Sequence, residues 1–497
     1  MGGIAALISR DGCDVTPMML RMLRALKHRG REAYGVAAGE ALRIGESPLE
    51  LLGELKPSDV AVGYCLSRNI QRDEPQPIRD GGVTLVFDGR VFKPEGISEP
   101  RELLKLLNGE PESGARAIIE GFKGFYTFVV MDPRGRLIAG RDVTGVNPLY
   151  YSWDGSTYAL ASERKALWSI GVKDARSFPP GSVAVIERRG VSFRSVKSIA
   201  KPSRLGVISV EEAAGRLRKL LLDSLRRMAE DVKSPALAFS GGLDSSLIAA
   251  LSRECRVDVQ LITVGLEGSV EIEHARVIAE KLGLKLQVKL FTEDDVEEAL
   301  DRVLWMIEGC NPVDVSIAIP LCFVAEEASK LGFRVLLSGQ GGDELFGGYH
   351  RYLEVYERFG VEGLEETLYL DVVNSYKRNF ERDNKVCSFH GLELRLPFID
   401  LDLIEYSLSI PVNLKVESSR DPLRKRILRR IAEDLELPPS VYMRKKRAIQ
   451  YSTGVSRILQ KLARGEGLSI RGYLSKRWEE VRSRNMEKLM AKLEKGG

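Results

Sequence analysis

No Cys-x2-Cys pair occurs anywhere in the chain. Cys13, Cys65, Cys255, Cys310, Cys322 and Cys387 are scattered, so the spacing of a zinc site or dithiol redox motif is absent and buried, unpaired thiols are expected. No apolar run approaches the roughly 18 residues of a membrane span. The N-terminus has no charged-then-apolar leader, so the cytoplasm is the expected compartment, with no membrane partner. Charge of one sign is not in excess: 74 Lys and Arg stand against 70 Asp and Glu, a net of +4, which makes no case for nucleic acid. Amides are scarce, at nine Asn and seven Gln, a depletion that suits a thermophilic source. The remaining composition is that of a soluble globular protein, and 497 residues leave room for two or three cores.

The chain is organised around Ser240-Gly241-Gly242-Leu243-Asp244-Ser245-Ser246. An apolar run, Ala236–Phe239, leads in, and a helix-like run, Leu247–Leu251, leads out. Two adjacent glycines allow a tight turn and close approach to a ligand, while amides and hydroxyls gather at a positive helix N-terminus, where a phosphate fits. A bare glycine pair before a helix cap would be an ordinary β-α turn. The full seven residues resemble the pyrophosphate loop of the ATP pyrophosphatase family, and the P-loop pattern Gly-x4-Gly-Lys-Ser/Thr is absent.

Beyond this loop, strands at Val257–Val264, Lys285–Phe291 and Phe333–Ser338 alternate with helices at Glu271–Leu282, Asp294–Met306 and Ile317–Leu331. The alternation predicts a doubly wound parallel sheet with its ligand beyond the carboxyl ends of the strands. A second glycine-rich stretch, Ser338-Gly339-Gln340-Gly341-Gly342-Asp343-Glu344-Leu345-Phe346-Gly347-Gly348-Tyr349, follows one of those strands and should face the same crevice. Asp343 there offers a hard oxygen for magnesium opposite Asp244. With Gly265–Ser269, Gly391–Asp400, Leu423-Arg424-Lys425 through Leu428-Arg429, and Arg444-Lys445-Lys446-Arg447 through Thr453-Gly454, the set resembles the asparagine synthetase family from Met1 to about Val455.

That resemblance implies MgATP bound by Ser240, Gly241, Gly242, Ser245, Ser246 and Gly339, adenine near Ala238 and Val264, and magnesium on Asp244 and Asp343. It also implies a phosphate-contacting lysine in the basic run, where the spacing to Thr453-Gly454 selects Lys446. Gln340 stands where the family loop usually has glutamate; it can hydrogen-bond an intermediate but cannot take a proton. In β-lactam synthetases the same position is tyrosine, so Gln340 matches neither pattern.

From Met1 to about Lys201, short strands such as Gly3–Ile8, Val83–Phe87, Phe125–Met131, Arg136–Gly140 and Ser182–Ile186, with a helix at Pro17–Leu26, predict a layered α+β domain. Its landmarks are His28-Arg29-Gly30, Gln76-Pro77, Gly140-Arg141-Asp142 through Tyr150, Ala161-Ser162-Glu163 and Pro179-Pro180-Gly181. They resemble, in order, a class II glutamine amidotransferase domain of the Ntn-type αββα fold. The family's nucleophile is a cysteine exposed by removal of Met1, whose own α-amine serves as base; Gly2 stands there instead. The arginine expected to clamp the glutamine carboxylate falls on Cys65 or Leu66, and the family's Asn-Gly-Glu reads Asp88-Gly89-Arg90. Neither Cys13 nor Cys65 carries a free α-amine, and most free cysteines are packing residues.

The expected architecture is therefore an amidotransferase-like domain over 1–201 without glutaminase activity, and an adenine nucleotide α-hydrolase-like synthetase domain with extra helices over 202–497. The reaction the resemblance implies is aspartate, ATP and ammonia to asparagine, AMP and pyrophosphate, with ammonia from solution or a separate glutaminase. Rivals are an intramolecular amide synthesis, a glutamine-dependent asparagine synthetase and a non-catalytic assembly partner. The retained front domain is a reasonable place for a homo-oligomer contact. The tail from Ser456 to Gly497 reads as a charged surface helix.

Overall fold

Strand Gly2–Ser9 is buried along its whole length, and its alternation divides two cores. Ile4, Ala6 and Ile8 point into a core shared with Val62, Val86 and Val129. Ala5 and Leu7 point the other way, onto Met19, Leu20 and Leu23 of helix Thr16–Ala25. A strand with two apolar faces can only lie between layers. The computed structural model describes residues 2–53, 55–92, 99–201, 203, 205, 206, 208–446 and 449–494. Met1, linker positions 202 and 204, and Arg447 of the basic run lie outside the described residues.

The strand sits in a seven-stranded antiparallel sheet ordered Arg176–Ser177, Tyr150–Trp153, Thr157–Ala161, Gly2–Ser9, Val60–Leu66, Ala33–Ala38, Ala41–Gly45. A six-stranded sheet, Gly190–Ser195, Ser182–Glu187, Leu137–Arg141, Gly124–Met131, Val83–Val91, Ile78–Asp80, stacks against it. Helices Glu99–Leu107 and Pro111–Gly121 cover its far face. The layers run helix, sheet, sheet, helix, as the sequence predicts.

The second domain is built on a five-stranded sheet ordered Leu286–Phe291, Gln260–Leu266, Ala236–Ala238, Val335–Leu337, Glu393–Arg395, parallel throughout. In chain order this is 3-2-1-4-5, and the winding reverses between strands Ala236–Ala238 and Val335–Leu337. A crevice opens at such a reversal. Two expected boundaries move. Val257 donates back to Ser252 O and closes a helix turn, so the strand expected at Val257–Val264 starts at Gln260. The helix expected at Ile317 starts at Pro312, because the Asn311 side chain accepts from Val313 and Asp314 N–H and proline suits the first helical turn.

Buried charges join the domains. Arg90 Nη2 donates to Glu393 Oε2 at 2.7 Å, and Arg90 Nη1 reaches Asp73 at 3.0 Å. Glu393 also pairs with Arg395 at 2.7 Å, and Arg395 with Asp231 at 2.5 Å. Burial opposes the charge on Glu393, yet Arg395 and Arg90 together hold its carboxyl well below the usual range. A second contact grips one face of helix Glu381–Phe389. Arg141 and Tyr150 bind Glu381, and Arg29 donates to Asn384 Oδ1 at 3.2 Å and Ser388 Oγ at 2.9 Å.

The tail forms a charged helix, as expected, and that helix also makes contacts with both domains. Helix Ile470–Glu494 ties Arg477 and Arg484 to Asp301 at 2.7 and 2.9 Å in the second domain. It also sets Trp478 against Trp168, with centroids 6.1 Å apart, and Leu489 against the first domain's core. The tail is a strut across both domains. Among the described residues no single helix is long and apolar enough to cross a membrane.

Glu393→Ala strips Arg90 of its main buried partner and is expected to lower stability by about 3–5 kcal/mol. Removing the exposed Arg188–Asp59 pair should change it by less than about 1 kcal/mol. Denaturant unfolding of the two variants side by side checks this, and equal midpoints would refute the interface account.

Candidate active site

Strand Ala236–Ala238 ends at the winding reversal, and helix Leu243–Glu254 starts five residues later with Gly242 as a cap that has no side-chain hydrogen bond. The first amides of that helix are therefore available to an anion. Gly241 has φ +67°, and a Cβ there would come within 3.0 Å of His274 Cδ2. His274 Nε2 lies 3.0 Å from Gly241 O and braces the turn. Ser240 Oγ sits 3.2 Å from both Ser245 Oγ and Gly242 N. Ala238 is half-buried and Val264 nearly buried at the ends of adjacent strands. Ser246 is fully buried, because the residue two after Asp244 falls on the core face of the helix, and its hydroxyl has no hydrogen-bond partner among the described residues.

The Ser338–Tyr349 stretch meets this loop through its glycines. A Cβ on Gly339 would stand 3.0 Å from Asp244 Cβ, and one on Gly342 would stand 2.9 Å from Asp244 Cγ. A Cβ on Gly348 would overlap Asp343 Oδ1. The two aspartates thus converge only because these positions lack side chains. Between them lies one cation: Lys425 Nζ is 2.8 and 2.5 Å from the Asp244 oxygens and 2.7 Å from Asp343 Oδ1. Burial pulls the Lys425 ammonium below its ordinary range while Asp244 opposes the shift. Lys446 pairs with the other oxygen of Asp343, and its Nζ lies 5.0 Å from the Tyr349 ring centroid.

Glu344 supports the loop from behind. It is buried, its Oε1 accepts from Tyr349 Oη at 2.6 Å and Asn379 Nδ2 at 2.8 Å, and burial pushes its pKa up. Gln340 is half-buried, and its carboxamide makes no hydrogen bond to the described residues. Two carboxylates that already share one cation fit a divalent metal completed by phosphate oxygens. Among the described residues no group of three or more metal-binding side chains could cage one alone. Lys425 falls within the Leu423-Arg424-Lys425 motif, where the sequence alone assigns it no role. Its proximity to Asp244, 181 residues away, has no periodicity or spacing to announce it.

The asparagine synthase family model matches residues 216–362 and 357–477. The chain belongs to the asparagine synthetase family. A Methanocaldococcus jannaschii protein named as a glutamine-hydrolyzing asparagine synthetase is 30% identical, with 94% of this chain and 96% of that protein aligned. The glutamine-hydrolyzing asparagine synthetase of Asparagus officinalis is 28% identical over 92% of this chain and 78% of its own length. A glutamine amidotransferase domain model matches residues 66–169. Among solved structures, B. subtilis glutamine phosphoribosylpyrophosphate amidotransferase covers 57% of this chain and 65% of its own at 18% identity, with a TM-score of 0.35. NMN synthetase from Francisella tularensis covers 57% and 97% at 14% identity, with a TM-score of 0.29. As an asparagine synthetase family member, the protein is an ATP-dependent, amide-bond-forming ligase.

The space around Gly2 is filled. A Cβ on Gly2 would overlap Cys65 O and stand 2.6 Å from Tyr64 Cζ. Gly2 N donates to Asp88 Oδ1 at 2.8 Å, and Arg29 donates to Gly2 O at 2.7 Å and Asp88 Oδ2 at 3.1 Å. Gly89 has φ +125° with Phe125 O and Asn147 Nδ2 against it, and Arg90 turns to Glu393. Cys65 is buried and its thiol is pushed up to about 12 by burial. Cys13 is exposed, against the expectation of a buried thiol, because it lies in the loop after the first strand.

Gly2→Cys is expected to release no glutamate from glutamine and to lower the melting temperature, since the new side chain enters filled space. A glutaminase assay paired with a thermal scan checks both. Glutamate release at an unchanged melting temperature would overturn the closed-site reading.

Proposed function

We propose that this enzyme makes asparagine from aspartate, MgATP and ammonia, and that the ammonia comes from solution or a separate glutaminase. The observation that carries the nitrogen source is the filled space around Gly2, where Asp88 and Arg29 use the groups a glutamine would need. The site at the winding reversal supports the activation step. Ser240, Gly241, Gly242, Ser245 and Gly339 line the phosphate end, and adenine lies by Ala238 and Val264. Asp244 and Asp343 would hold magnesium, whose charge offsets that of the departing pyrophosphate.

The aspartate side-chain carboxylate attacks the α-phosphorus, and the bond to the pyrophosphate oxygen breaks. Lys425 and Lys446 pair with the two aspartates. They are placed to turn to the triphosphate and stabilise charge as it moves onto pyrophosphate. Ammonia then attacks the acyl carbon, AMP leaves, and the nitrogen sheds a proton. Gln340 orients the acyl group by hydrogen bonding and takes no proton, so the proton passes to AMP or solvent. The chain's contribution is positioning and electrostatics.

The absent nucleophile and the non-family Gln340 favour a second reading, intramolecular amide closure like that of the β-lactam synthetases. Asp343–Tyr349 supports the first. With MgATP and aspartate, ammonium should yield asparagine and pyrophosphate in equal amounts, while glutamine should support less than about a hundredth of that rate. Equal rates with glutamine would refute the nitrogen assignment, and no turnover with either would favour the second reading.

A further inference from the structure

Both lysines that meet at Asp343 hang from short irregular segments, and one side chain holds both segments. Arg429, on helix Arg426–Asp434, donates from Nε to Arg424 O at 2.6 Å and from Nη2 to Leu423 O, the two carbonyls just before Lys425. Its Nη1 donates to Tyr442 O and, at 3.1 Å, to Arg444 O, four and two residues before Lys446. Among the described residues no carboxylate pairs directly with this guanidinium. Its donors go to backbone, which is the use of a planar fork as a template.

The first segment needs holding. Arg424 and Lys425 have φ +54° and +53°, a conformation that side chains other than glycine's adopt only where surrounding contacts over-determine it. Arg424 Nε adds a bond to Gly348 O at 3.1 Å, so the same segment is tied to the loop that carries Asp343. The second segment has its own outside tie, from Arg444 to Glu271 at 2.8 Å. Among the described residues, only Arg429 donates to the backbone of both segments.

We propose that Arg429 is a positioning residue that sets Lys425 and Lys446 jointly at the Asp244–Asp343 pair, so that the two ammonium groups reach the departing phosphates together. The proposal rests on the function given above. It makes a guanidinium necessary, because a lysine at this position offers donors from one point and cannot span four carbonyls on two segments.

The test compares Arg429→Lys and Arg429→Ala with Arg430→Ala. Arg430 is on the same helix and pairs only with Glu433 and Asp434 at the surface. Pyrophosphate release from MgATP and aspartate should fall about a hundredfold in kcat for both Arg429 variants, the scale of a small misplacement of reacting groups. KM for aspartate should move less than about threefold, and Arg430→Ala should match the parent. Guanidinium ion added to Arg429→Ala should restore at least a tenth of the lost rate. In a Lys446→Ala background, Arg429→Lys should cost at least about threefold less than in the parent, the remaining cost being that of misplacing Lys425. Calorimetric binding of magnesium pyrophosphate, which needs no amide chemistry, should weaken at least tenfold in Arg429→Lys. That measurement decides the role of Arg429 even if aspartate proves not to be the substrate. Parent-like kcat and pyrophosphate affinity in a folded Arg429→Lys would overturn the proposal, as would full additivity with Lys446→Ala.

Discussion

One ammonium shared by two carboxylates from different loops is the constraint that the synthetase domain is built to meet. For Lys425 to touch Asp244 and Asp343 at once, strands Ala236–Ala238 and Val335–Leu337 must be neighbours with their carboxyl ends together, which the 3-2-1-4-5 order provides. The loops that follow must then pack at backbone distance, which glycine at 339, 342 and 348 allows. A third chain segment, with two residues in left-handed conformation, must bring the lysine in. Each requirement sits on a different part of the chain, and none can be relaxed without separating the charges.

The front domain takes part in that arrangement through its contacts. Its face toward the synthetase domain holds Arg29 and Arg141 on Asn384, Ser388 and Glu381. The residues just before that helix include Asn379, which holds Glu344 behind the glycine-rich loop. The exchange of Asn-Gly-Glu for Asp88-Gly89-Arg90 acquires a physical sense here. Asp88 answers Gly2 N–H and Arg29, and Arg90 answers Glu393 across the interface. Charges that would be costly alone are retained as pairs, and the space a substrate would need is filled.

The two glycine loops were legible because their chemistry is contiguous: phosphate-facing amides, hydroxyls and an aspartate within seven residues, and again within twelve. The layered and doubly wound sheets were legible from period and alternation. Lys425 was not, because only the fold brings it to Asp244. Neither was the pairing of Arg90 with Glu393, 303 residues apart, although the charge reversal at 88 and 90 was visible. The burial of Ser246 was not legible either, since a motif does not say which of its hydroxyls faces the core. The tail's contacts with Asp301 and Trp168 were not legible, because their partners lie at least 176 residues away in the chain and only the fold brings them together.

Transfer of heavy oxygen from labelled aspartate carboxylate tests the central claim most directly. If the carboxylate attacks the α-phosphorus at the Asp244–Asp343 site, one labelled oxygen must leave on AMP when the amide forms. Label in AMP, with the amide retaining the other oxygen, is the result this account predicts. Label in inorganic phosphate with ADP as the nucleotide product would place the attack on the terminal phosphate and contradict it.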